Sequence, residues 1–388
     1  MTHSDAAAGD SAAAESRWDV STQQFHGGQD WKDCENYVAD FSVTTNALGT
    51  PKAALQAARE AISTCHHYPP ADQEPAKSSL ARFLWPSFWE ENVDRLLLGN
   101  GASELIDLVI RTGAPPETGA SAKLHRRWKP GPCSTQYKEY ERAACNQGCE
   151  ILSADSTEPA DLTCIVNPCN PTGDYMPLRA VKEWIEKNVA DGAVAVVDES
   201  MQPWHSPQFR DDSLTSAVKW AAHLYASRGI SVFVIHSWTK LWSCTGLRLG
   251  SVVCPTLGHC VRLRKHQVPW SVNTPALAFL DAVVRDQEYL DRTWAVTSAW
   301  RGQTIEAIRA AVPASKSWKF HGREFLSWIW IEMASPEMAD RAVACARAHG
   351  VPVRSGRPGY ESPCFVRIAV RDPESRAALI RAWRDLAA

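Results

Sequence analysis

The chain has 388 residues, 45% of them apolar and 22% charged, with a formal net charge of −3. This is the balance of an ordinary globular protein, long enough for one large domain and a smaller one. It excludes the broad basic field that nucleic acid would need. There is also no apolar run long enough for a transmembrane helix.

Residues 1–25 are small and polar, lack the basic start and apolar core of a signal peptide, and are expected to be a disordered tail. From about 93 to 255, strand-like and helix-like segments alternate. "DRLLLG" reads as a short strand, followed by "ASELIDLVIRTG", a helix with apolar residues at helical spacing. "DLTCIVN" is an apolar strand, "PLRAVKEWIEKNV" an amphipathic helix, and "GAVAVVDES" and "ISVFVIHS" are continuous apolar strands of the kind buried on both faces. The segment 272–312 reads as helical. After about 320 come the strand "FLSWIWIEM", the helix "PEMADRAVACARAHG", the strands "VPVR" and "CFVRIAV", and a last helix from Pro373. The twelve cysteines are scattered, without metal-binding spacing, so reduced buried thiols in a cytoplasmic protein are expected, with no metal.

Alternation of this kind implies an α/β fold with a mostly parallel mixed sheet between helices, plus a smaller α+β domain. Such sheets bind ligands at the carboxyl ends of their strands, so the residues just after each apolar run carry the functional argument. "GNGASE" follows the first strand and opens a helix. The backbone of Gly101, Ala102 and Ser103 could therefore bind an anion, though a plain tight turn is an equal reading. "NPCNPTG" presents Asn170 on a proline-stiffened turn. Asp198 ends the next strand, where a lone aspartate often caps a helix. Ser237-x-x-Lys240 follows the last, where a lone lysine is usually solvated. Together, an anion cradle, an amide, a carboxylate and an amine at successive strand ends suit pyridoxal phosphate. Lys240 would form a Schiff base, Asp198 would hold the ring nitrogen protonated, and Asn170 would bond the ring hydroxyl. Ser237 and Arg248 would join the cradle on the phosphate.

"NPCNPTG", "VVDES" and "SWTKLWSCTGLRLG" together resemble the fold-type-I, class I/II aminotransferase-like enzymes, over about residues 26 to 385. "HGG" (26–28), "DFSVTTNALG" (40–49), "YPP" (68–70), "GNGASE" and "VPWSVN" (268–273) resemble the threonine-phosphate decarboxylase and histidinol-phosphate aminotransferase branch. The resemblance implies a disordered tail (1–25), an arm that meets substrate (26–50), a large cofactor domain (51–312) and a small domain (313–388). It implies that Tyr137 stacks on the cofactor and that Tyr68 reaches the phosphate across a homodimer interface, so that two subunits share each active site. Arg367 would grip the substrate carboxylate, with Asn46 and His26 at the substrate. An arginine within the apolar strand "FVRIAV" does require a buried anion.

The departures lie on the substrate side. Where these enzymes commonly read "DEAY", this chain has "DESM", and Met201 has no hydroxyl to offer the ring oxygen. Pro70, Glu324 and the basic stretch "HRRWKPGPCS" also depart from the pattern. The resemblance implies a Lys240-linked carbanion enzyme acting on a small-molecule amino acid, with threonine-phosphate-decarboxylase-like chemistry expected first. A histidinol-phosphate-type aminotransferase, or a specialised lyase or transferase performing elimination, replacement or carbon–carbon bond formation, are the alternatives. A non-enzymatic cofactor-binding regulator is disfavoured by the intact Asn170, Asp198, Lys240 and Arg248.

Overall fold

The computed structural model describes residues 28–34, 36–113, 126–384 and 386. The expected tail and His26 lie outside the described residues. No described helix is long and apolar enough to cross a membrane.

The larger sheet has seven strands: β1 (Leu96–Asn100), β2 (Arg127–Pro130), β3 (Glu150–Ile151), β4 (Leu162–Val166), β5 (Val194–Asp198), β6 (Ser231–Ser237) and β7 (Leu249–Val253). Their spatial order is β1-β7-β6-β5-β4-β2-β3. β7 runs antiparallel to both β1 and β6, while β6-β5-β4-β2-β3 are parallel neighbours. Every residue of β4, β5 and β7 is buried. Each fully buried aliphatic side chain there contributes roughly 1.5–3 kcal/mol, which is why these runs need no polar alternation. Helices cover both faces. Val181 and Ile185 of Leu178–Asn188 join one core cluster, and Leu105, Ile106 and Val109 of Gly101–Thr112 join another across the sheet. The segment read as helical over 272–312 is two helices, Thr274–Val283 and Gln287–Ala311, separated by a short turn.

The second sheet comprises β8 (Lys319–His321), β9 (Trp328–Glu332), β10 (Arg354–Ser355) and β11 (Phe365–Ala369), ordered β10-β11-β9-β8 and antiparallel throughout. Its core includes Ala39 and Phe41 from the N-terminal arm. The arm is stitched to this sheet by backbone bonds: Phe41 N to Pro352 O at 2.9 Å and Ala369 N to Phe41 O at 2.8 Å. It then crosses to the large sheet, where Asn46 N donates to Lys240 O at 3.0 Å. Arg371 fixes the crossing. Its guanidinium donates to the carbonyls of Asp40, Val43 and Thr45 at 2.6–2.8 Å. A cleft opens between the carboxyl edge of the large sheet and the face of the small one.

Candidate active site

Strand direction explains how the cleft collects its groups. β5 and β6 deliver Asp198 and Ser237 at their carboxyl ends. β7 runs the other way, so the residue that precedes it, Arg248, arrives at the same edge; Ser237 is paired with Gly250 in the ladder. Lys240 sits not in a loop but on the short helix Trp238–Leu241 that follows β6.

The anion cradle is an interlock of glycines. Gly101 has φ +75°, and a Cβ there would meet Arg248 Nη2 at 2.3 Å. At Gly250 a Cβ would press on Ala102 N at 2.6 Å. Both positions therefore need glycine for the Arg248 guanidinium and the β7 backbone to lie against the start of helix Gly101–Thr112. Arg248 itself has φ +62°, a left-handed conformation that costs on the order of 1–3 kcal/mol for a non-glycine residue. Ala102, Ser103, Ser237 and Arg248 all line the cleft; Gly101 lies beneath Arg248 rather than in the lining.

Asp198 is buried at the floor. Its carboxylate accepts from Tyr140 OH and from Ser200 N, both at 2.9 Å. Burial raises its pKa, while these donors and the charge on Lys240 pull it back. Its hydrogen-bond donors are neutral and it has no ion pair among the described residues, so this carboxylate is suited to a further cationic partner. The adjacent Glu199 turns away, accepting from Ser213 Oγ, Leu214 N and Thr215 Oγ1. Only one of the two neighbouring acids serves the cleft.

Lys240 Nζ makes no hydrogen bond or ion pair among the described residues. Burial, then Arg367 and Arg248, lower its pKa to about 8. An amine this close to neutrality is a competent base.

The opposite wall comes from the small sheet and the arm. Arg367 on β11 donates from Nη1 to Asn170 Oδ1 at 2.5 Å and to Tyr360 OH at 3.0 Å, and from Nη2 to Ser42 O at 2.7 Å. Its buried Nε has no hydrogen-bond partner among the described residues. Ser42, Val43, Thr44 and Tyr360 complete this side, while Met201, three residues past the end of β5, lines the cleft from the large sheet. Tyr137 lines the cleft beside Ser103, whose hydroxyl it meets.

The structure thus brings together Ala102, Ser103, Tyr137, Asn170, Asp198, Ser237, Lys240, Arg248 and Arg367. Asn46 is placed differently. It is buried outside the cleft lining, with Nδ2 donating to Leu241 O and Thr293 Oγ1 and Oδ1 accepting from Leu48 N, so its amide is consumed in holding the arm. Tyr68 stands away from its own chain's cleft. It is 76% exposed and stacked on Trp270 with ring centres 4.3 Å apart. Sequence reasoning missed Tyr140, Ser200, Tyr360 and Arg371. Tyr140 had a faint signal, one helical turn after Tyr137, whereas nothing in the loop holding Tyr360 marked it.

The donor set fits pyridoxal phosphate: a glycine-cleared helix start with Arg248 for a phosphate, a buried carboxylate lacking a cation, and a buried unpartnered amine. The family model for class I and II aminotransferases matches residues 127–382. A histidinol-phosphate aminotransferase of Ruegeria sp. is 26% identical, covering 94% of this chain and 95% of its own. A threonine-phosphate decarboxylase of Salmonella typhimurium is 28% identical over 66% of this chain and 67% of its own. The crystal structure of histidinol-phosphate aminotransferase from Sinorhizobium meliloti with pyridoxal-5'-phosphate superposes with a TM-score of 0.74 at 17% identity, covering 96% of this chain and 97% of that one.

Proposed function

Because the chain belongs to the class I and II aminotransferase family, whose enzymes depend on pyridoxal phosphate, we propose that it transfers an amino group between an anion-bearing primary amine and a keto acid, as histidinol-phosphate aminotransferases do. The observation that carries this reading is Lys240: a buried amine with an unpartnered Nζ and a pKa lowered to about 8, in one cleft with Asp198, Arg248 and Arg367.

Bound pyridoxal phosphate supplies an electron-withdrawing ring conjugated with the substrate's amino group. Lys240 Nζ would hold the cofactor at its aldehyde carbon and, once free, would take and return the proton at the substrate's α-carbon. Asp198 would accept the hydrogen bond of a protonated ring nitrogen, with Tyr140 and Ser200 fixing its two oxygens. Arg248, Ser237 and the N–H groups at Ala102 and Ser103 would hold the phosphate. Arg367 takes the substrate's anionic group, and its planar fork aligns that group. The helix and strand packing behind these groups keeps water from the floor of the cleft.

Decarboxylation of a phosphorylated amino acid is the second reading, supported by the Salmonella relative and by the arm sequence "DFSVTTNALG". Assembly as a homodimer is also part of the proposal. Tyr68, Val268 and Trp270 form an exposed apolar group beside the "YPP" and "PWSVN" segments, suited to burial against a second copy. A cytoplasmic location is supported by buried free thiols such as Cys164, Cys244 and Cys254.

Mass spectrometry of products from purified, cofactor-loaded enzyme with a panel including histidinol phosphate and O-phosphothreonine tests the reaction. A carbonyl product without loss of carbon dioxide supports transamination. Release of carbon dioxide moves the assignment to the second reading. Failure of borohydride to leave a pyridoxyl adduct on Lys240 overturns both.

A further inference from the structure

Asn170 faces the cleft with an amide whose two ends differ sharply. Its Oδ1 is held by two donors, Arg367 Nη1 at 2.5 Å and Tyr360 OH at 3.2 Å. Its Nδ2 has no partner among the described residues. An amide oxygen bonded twice fixes the orientation of the whole group, because a flip would set N–H donors against the guanidinium.

Tyr360 is itself rigid. It is 5% exposed, lies edge-on to Trp330 with ring centres 5.8 Å apart, and has the guanidinium carbons of Arg354 and Arg367 at 5.6 and 5.9 Å from its ring centre. The turn that carries it is closed by Ser362 N to Gly356 O and Gly356 N to Phe365 O, both at 2.8 Å. Gly356 is required there, since a Cβ would meet Ser362 O at 2.3 Å.

We infer that Tyr360 is a positioning residue that, with Arg367, locks Asn170 so that its Nδ2 donor is offered to the ring oxygen of pyridoxal phosphate; this rests on the cofactor reading proposed above. Met201 makes the role matter. It lines the same cleft and has no O–H, so the ring oxygen depends on the Asn170 donor rather than sharing two. The hydroxyl thus comes from the β10–β11 turn of the small sheet, and it acts through the amide rather than on the ring. One side chain thereby links the substrate-anion site at Arg367 to the electronic state of the cofactor.

The test is a pH titration of the visible absorbance of cofactor-loaded protein without substrate, comparing wild type, Tyr360→Phe, Asn170→Ala and the double variant. A donor to the ring oxygen favours its ionised form, so loosening the donor raises the chromophore's pKa. Tyr360→Phe removes one hydroxyl and leaves the packing on Trp330 in place, so the variant should fold and load. We expect an upward shift of about half to one unit, the equivalent of one ordinary hydrogen bond. We expect no further shift when the same change is made in Asn170→Ala. A Tyr360→Phe titration that coincides with wild type, or an undiminished shift in the Asn170→Ala background, overturns the inference while leaving the cofactor reading intact. Absence of a visible, Lys240-linked chromophore in wild type instead removes the cofactor reading itself.

Discussion

The sheet-side wall of the cleft carries its groups at neighbouring strand ends. Asp198 ends β5, Ser237 ends β6, Arg248 opens β7, and Lys240 lies one helical turn beyond β6. The facing wall draws Ser42–Thr44, Tyr360 and Arg367 from opposite ends of the chain; Arg367 and Ser42, which are bonded, are 325 positions apart. The first wall is anchored in strands whose residues are buried throughout, so its geometry moves only with the core. The second joins the small sheet to the arm through its own core, the backbone bonds of Phe41 to Pro352 and Ala369, and hydrogen bonds from Arg367 and Arg371 to backbone carbonyls. In the proposed reading, cofactor chemistry belongs to the sheet-side wall, and substrate discrimination to the wall where one substitution can change what is recognised without disturbing the sheet.

The sharpest way to break the comparison is Lys240→Ala. It removes both the anchoring amine and the base, so turnover should fall by more than the roughly 10²–10⁴-fold due to proton transfer alone. Borohydride treatment followed by peptide mapping should find no adduct on this peptide. Measurable turnover at near wild-type rate would take the chemistry off the sheet wall.

Arg367→Lys probes the facing wall. Losing the planar fork should raise KM about 10- to 100-fold, the scale of a charge-assisted pair, with a smaller change in kcat. An unchanged KM would mean that the anion docks elsewhere.

A stability measurement separates the walls without turnover. Lys240 has a folded-state pKa of about 8, below the ordinary value of 10.5. Between those values the unfolded chain binds more protons, so cofactor-free protein gains stability as pH rises through this window. Below about pH 8 the full cost of burying the charge is present. Lys240→Met should therefore stabilise the cofactor-free protein at pH 7 by on the order of 2 kcal/mol, with the gain shrinking above pH 8 and lost near pH 10.5. Calorimetric melts showing a pH-independent difference would mean that the amine is solvated.

The smallest expected effect is that of Met201→Tyr, which adds a phenol beside the cofactor position and should lower the chromophore pKa by roughly one unit. Coincident spectral titrations of variant and wild type would place the new hydroxyl out of reach.

Much of the rigid wall was legible from the sequence because its signals are local. Four-to-seven-residue apolar runs mark buried strands, and a parallel sheet puts whatever follows them on one edge, so Asp198 and Lys240 could be read by position. Direction was not legible. β7 pairs antiparallel on both sides, and its apolar run reads the same either way, which hid the reason Arg248 precedes its strand. Asn46 shows the converse limit. Its motif pointed to substrate, but burial and the proximity of Leu241 and Thr293 determined where its amide bonds.

The sequence by itself determined the alternation of elements, the placement of Asp198, Ser237 and Lys240 at strand ends and the arginine buried in β11, since each follows from hydrophobic periodicity or from a charge that an apolar strand cannot hold unpaired. Only the tertiary structure decided that the arm crosses from the small sheet to Lys240, that Tyr140 joins the nearby Ser200 in bonding Asp198, and that Tyr360 and Arg367 together fix Asn170. Those contacts join residues tens to hundreds of positions apart. Their existence depends on where the two sheets come to rest, and no local pattern records that distance.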